Sequence, residues 1–220
     1  MGFGDLQYRC DTSRAALVIV DVQVDFCRPR DASAELLDTM VAMGVKLEGL
    51  IASARTASVP VVFVQTVHGV DSDSQAWRSR RGALAEYERE VCKPETEGVE
   101  FFRVAPEPGE AVIVKHRYDA FVGTELDAVL SSLGREAVIL TGVMTDICVE
   151  TTLRHAVCLD YLATMVSDCC AAATPERHEL TLARVAQSFG SVASADEIAS
   201  MWGAMTPSGR ERVLLEHAPH

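Results

Sequence analysis

The stretch Gly142–Ala156, GVMTDICVETTLRHA, follows the apolar run Ala137–Leu140, AVIL, and places one cysteine near its start. A short β-branched run followed by a polar turn and then apolar residues at helical spacing reads as a strand feeding a helix. With Thr145 as N-cap, Cys148 is the third helical residue. Unpaired N–H groups and the positive end of the helix dipole there favour a thiolate. The same N–H groups, with that of Met144 or Thr145, are placed to hold an oxyanion.

The pattern repeats outward from this point. Ala15–Val20 (AALVIV) ends at Asp21, the run after Pro60 (VVFV) ends at Gln65, Ala111–Val114 (AVIV) stops at Lys115, and Leu162–Val166 (LATMV) ends at Ser167-Asp168. Between them, Leu36 to Ala57 carries apolar residues at helical spacing. Thr124 with Asp127 predicts an N-cap for a helix over Glu125 to Leu133, stopped by Gly134. Thr174-Pro175 opens a helix over Glu176 to Ser188. Gly190 to Ala193 reads as a last short strand, and Ser194 with Glu197 as a capping box for a final helix. Val67 to Pro108 is irregular, with one short helix expected near Gly82 to Val91.

Strands alternating with helices imply right-handed crossovers, hence an α/β single-domain, three-layer αβα architecture around a mostly parallel sheet. Ligands in such folds bind beyond the carboxyl ends of the strands. That rule selects Asp21, Gln65 to His68, Lys115, Gly142 to Cys148 and Asp168.

Composition narrows the function classes. The 220 residues are 48% hydrophobic and 24% charged, which suits one domain with a sizeable core. Residues 1–14 are expected to be an N-terminal extension, 15–200 the domain and 201–220 a tail. A formal net charge of −12 leaves no basic face for a phosphate backbone or anionic membrane. No apolar run is long enough to span a bilayer, and Asp5 and Arg9 interrupt any secretory signal, so a cytoplasmic location is expected. Seven cysteines without a C-x-x-C pair read as reduced thiols, mostly inert packing residues. Adjacent Cys169 and Cys170 fit packing better than redox chemistry.

Three motifs in order carry a resemblance. AALVIVDVQVDFC, VIVKHRYDAFVGTELD and LTGVMTDICVETTLRHA resemble the Asp, Lys and Cys motifs of the isochorismatase-like cysteine hydrolases, with similarity from Ala15 to about Ile198. The resemblance implies a six-stranded parallel sheet and a triad of Asp21, Lys115 and Cys148. It also implies a non-proline cis peptide at Val143-Met144, beside the oxyanion-binding backbone of Val143, Met144 and Thr145. The implied chemistry is acyl transfer. Asp21 takes the thiol proton, Cys148 attacks an amide or ureido carbonyl, and Lys115 keeps Asp21 ionised and oriented.

Metal-dependent nicotinamidases of that family carry an Asp-x-His motif after the second strand. This chain has VQTVHGVDSD there, and His68 by itself is not a site, so neither metal nor cofactor is expected. True isochorismatases lack the cysteine nucleophile. The expected substrate is a small amide, ureido or lactam compound, RYDAFVGTELD being most like the ureidoacrylate and streptothricin hydrolase branches. A vinyl-ether hydrolase and a non-catalytic binding relative are the alternatives, and a homo-oligomer, dimer or tetramer, is implied. Gln23, Phe26, Tyr118 and Phe121 are candidates for the substrate pocket, each with a packing or turn-capping role in competition. Arg78, Arg80 and Arg81 read as a solvated face or subunit contact, and Asp146, Glu150 and Arg154 as helix-surface ion pairs.

Overall fold

The computed structural model describes residues 5–80 and 91–205. The helix expected over Gly82 to Val91 therefore lies outside the described residues apart from Val91, as does Arg81. Six strands, β1 (Ala15–Val20), β2 (Val61–Thr66), β3 (Ala111–Lys115), β4 (Ala137–Val143), β5 (Leu162–Ala171) and β6 (Ser191–Ala193), form one sheet in the order β3-β2-β1-β4-β5-β6. Every pairing is parallel. The chain runs outward from β1 through β2 to β3 and then returns to β4 on the other side of β1. That reversal opens a crevice at the carboxyl ends of β1 and β4, where such sheets bind ligands.

The alternation of side chains along β1 divides the core in two. Ala15, Leu17 and Ile19 face the layer containing the helix Ala34–Thr56 and the helix Ala195–Met205. Ala16, Val18 and Val20 face Leu126, Leu130, Leu153 and Val185 from the helices on the opposite side. Three layers result, as the runs of apolar residues predict. On β3, Val112 and Val114 are 41% and 45% exposed. Residues outside 15–200 also join the core, because the Trp202 indole N–H donates to Cys10 O at 2.9 Å and both residues are fully buried.

Local signals explain most element ends. Ser33 accepts from Leu36 N, Thr174 precedes Pro175 at the first helical position, and Ser194 and Glu197 close a reciprocal capping box. Thr124 keeps part of its expected role. The helix spans Leu126–Ser132, and Thr124 Oγ1 accepts from Leu126 N at 3.3 Å while its O–H donates to Ala120 O. β5 also runs five residues beyond Val166, to Ala171. Cys169 and Cys170 lie buried in it as free thiols. Gly142 marks the closest approach of β4 to β1: with φ of 110°, an added Cβ would sit 1.9 Å from Val20 O. Only glycine fits there. No helix of the described residues is long and apolar enough to cross a membrane.

Candidate active site

β1, β3 and β4 deliver Asp21, Lys115 and Cys148 to one point. Asp21 follows β1 with φ of 54°, a left-handed backbone uncommon outside glycine, and is fully buried. Its Oδ1 accepts from the Thr66 hydroxyl at 2.9 Å, and its Oδ2 lies 2.8 Å from Lys115 Nζ. Lys115 is 1% exposed and also reaches Arg117 O at 2.8 Å and Cys148 Sγ at 3.5 Å. The ammonium thus bridges carboxylate and thiol. Burial works against its charge, and Asp21 and Cys148 together more than offset this, holding Lys115 above its ordinary pKa.

The cysteine departs from expectation in one respect. Burial pushes the Cys148 thiol up, Lys115 pulls it down less, and Asp21 adds to the rise. Desolvation of the anion outweighs the helix start and the ammonium, so the resting group is a thiol bonded to Asp21. Deprotonation by a neighbouring base is then part of any nucleophilic role.

The turn that carries Cys148 also differs. Thr145 is not the N-cap: Met144 starts a π-helical turn over Thr145–Val149, which continues as the helix Glu150–Cys158. Met144 O accepts from Ile147 N at 3.0 Å and from Val149 N at 3.2 Å. The Thr145 hydroxyl instead shares a 2.9 Å hydrogen bond with His178 Nδ1. Burial holds that imidazole below its ordinary pKa. The Val143-Met144 peptide is cis.

These groups line a cavity of about 220 Å³ with Phe26, Thr66, His68, Trp77, Arg117, Tyr118, Val143, Met144, Asp146 and Arg177. Phe26 and Tyr118 of the pocket candidates are present in it. Gln23 is not: fully buried, it accepts from Thr66 N and donates to Thr66 O and Val99 O, tying β2 to the segment near Val99. Phe121 is not either, because it packs into the second core against His155 and Tyr161.

Several side chains at or near the cavity take contacts that the sequence reading did not assign them. Arg80 does not simply face solvent: its guanidinium lies 3.2 Å from the centroid of the Trp77 ring and donates to the Tyr118 hydroxyl. Asp146 pairs with Arg177, Nε to Oδ2 2.6 Å, at the cavity wall, while Glu150 makes the expected pair with Arg154. His68 is buried, with Nδ1 3.0 Å from Asp73 Oδ1. Among the described residues, no three His, Cys, Asp or Glu side chains converge on a point.

The model of the family described as Isochorismatase domain matches residues 15–197. This chain belongs to that family. Relatives include the ureidoacrylate amidohydrolase RutB of Pseudomonas syringae pv. syringae (strain B728a), 28% identical over 209 residues that cover 86% of this chain and 84% of the relative. The crystal structure of a cysteine hydrolase from Pseudomonas syringae pv. phaseolicola 1448A superimposes with a TM-score of 0.79 at 25% identity, covering 89% of this chain and 95% of that one. The structure of N-carbamoylsarcosine amidase from Thermoplasma acidophilum gives 0.68 at 27% identity, with 83% and 97% covered. The isochorismatase-like fold anticipated from the three motifs is thus the fold observed.

Proposed function

We propose that this member of the isochorismatase domain family is a cysteine amidohydrolase that cleaves a C–N bond of a small amide, ureido or lactam compound without a metal. One observation carries the reading: an ammonium at 1% exposure stands 2.8 Å from a buried carboxylate and 3.5 Å from a thiol that lines a cavity. A fold needs no such triple contact. The names of the relatives, an amidohydrolase and an amidase, support the reaction class.

In this reading Asp21 takes the proton from Cys148 as Sγ attacks the carbonyl carbon. Lys115 holds Asp21 in place and offsets the charge that moves between carboxylate and sulfur. The oxyanion is bound by backbone N–H groups of the turn after the Val143-Met144 peptide, with those of Thr145 and Cys148 as donors. Asp21 passes its proton to the departing nitrogen, a thioester forms, and water attacks it with Asp21 again as base. Acid, amine and free thiol are regenerated.

No step calls for a metal. At the position of the Asp-x-His motif this chain has Thr66 and His68, whose side chains are engaged with Asp21 and Asp73. The small cavity, below the ~300–1,000 Å³ of drug-sized sites, suits a substrate of few heavy atoms.

The test is ammonia release from biuret, ureidoacrylate, maleamate, carbamoylsarcosine and nicotinamide, with lactam opening followed by mass, for the wild type and Cys148→Ala in parallel. Turnover that falls at least about a thousandfold in the variant is expected. A variant that keeps the wild-type rate removes Cys148 from the chemistry and returns the vinyl-ether or binding alternatives.

A further inference from the structure

The cavity that ends on Cys148 has a second polar wall, which the acyl-transfer steps do not use. His68 lies there at 3% exposure, its Nδ1 3.0 Å from Oδ1 of Asp73, itself 8% exposed. A carboxylate only accepts, so Nδ1 carries the proton and Nε2 of the neutral ring is an acceptor. Trp77 stacks behind the ring with centroids 5.9 Å apart, which keeps it from tipping. Nε2 has no hydrogen-bond partner among the described residues and is not among their sealed, unbonded buried atoms.

Arg117 borders the same cavity. It donates through Nη1 to the carbonyls of Ser72 and His116, and it lies 4.9 Å from the centroid of Trp77. Among the described residues no carboxylate pairs with it, and Nε and Nη2 stay available. The wall therefore offers one fixed acceptor and one cationic donor.

We propose that His68 and Arg117 recognise a second planar amide or ureido unit of the substrate, beyond the scissile carbonyl. Its N–H donates to His68 Nε2 and its C=O accepts from Arg117, while Asp73 acts as a positioning residue that fixes the tautomer. The inference rests on the amidohydrolase reading of the Cys148 end of the cavity. A carboxylate in the same place satisfies Arg117 but sets an oxygen lone pair against Nε2 with the Asp73 charge behind it. The wall therefore favours the amide over the acid.

Malonamide and malonamate differ only in one terminal amide against a carboxylate, and they serve as probes in Cys148→Ala, where turnover does not interfere. Isothermal titration calorimetry is expected to show malonamide binding at least about tenfold tighter than malonamate at pH 8. His68→Phe, which keeps the stack on Trp77, abolishes the preference. His68→Gln, whose side-chain oxygen accepts, retains part of it, and Asp73→Asn weakens it. Equal or tighter malonamate binding at pH 8, no binding of malonamide, or a preference that survives His68→Phe overturns the proposal. Turnover that survives Cys148→Ala is a separate result, which sinks the amidohydrolase reading and leaves the binding preference to be judged by itself.

Discussion

Among the described residues, Glu150 and Asp21 are carboxylates buried against cations, and they are built differently. Glu150, 5% exposed, is saturated: Arg154 donates at 2.7 and 3.1 Å, Arg184 at 2.9 and 3.1 Å, and Thr181 at 3.5 Å. Its two arginines reach in from solvent, with side chains 41% and 48% exposed. Asp21 has no such supply from outside. Its cation is as deeply buried as itself and is shared with a thiol that must change its charge in any nucleophilic step. A pair that holds two elements together is closed and screened, whereas a pair poised for chemistry leaves each member in contact with a third, titrating group.

Lys115→Met breaks this contrast most severely. It strands Asp21 as an uncompensated buried charge, which costs about 3–5 kcal/mol of stability. Turnover falls at least about a thousandfold, as checked by denaturant melts and by the substrate panel. A variant with unchanged rate places the lysine outside the reaction.

A smaller effect sharpens the state of the thiol. Because burial raises the Cys148 pKa, the thiol is protonated at neutral pH and its thiolate fraction grows about tenfold per pH unit up to the raised value. Iodoacetamide labelling of Cys148 therefore climbs through pH 9 without the plateau that a free cysteine, with pKa about 8.5, begins to show there. Rapid labelling at pH 6 contradicts a protonated resting thiol. Glu150→Gln marks the other end of the scale. Turnover stays within about twofold, and stability drops by about 1 kcal/mol or less, because the arginine arms are solvent-screened.

The parts of the site that sit at strand ends were legible in the sequence, for a physical reason. A sheet covered on both faces writes its strands as short apolar runs, and Asp21, Lys115 and Cys148 each stand at or just after the end of one. Tyr118 and Phe121 follow β3 in a segment with no period, so nothing in their spacing separates the residue that lines the cavity from the one that enters the core. Gln23 read equally well as a turn residue because its partners, Thr66 and Val99, are distant in sequence. Thr145 looked like a cap until the structure supplied His178 as a rival for its hydroxyl. The pairing of His68 with Asp73 lies inside the irregular stretch after β2, where no pattern marks a buried ring.

The place of β3 in the sheet bears on how the site behaves in time. Asp21 and Cys148 follow interior strands, each flanked by two neighbours, while among the described residues Lys115 ends an edge strand with a single neighbour and two exposed valines. Local opening costs less at such an edge than in the middle of a sheet. Under the proposed chemistry, fraying of β3 withdraws the cation while carboxylate and thiol stay where they are, and the population of competent molecules then follows one peripheral ladder. Amide exchange at Ile113 to Lys115, set against that at Val18 to Val20, measures that population directly.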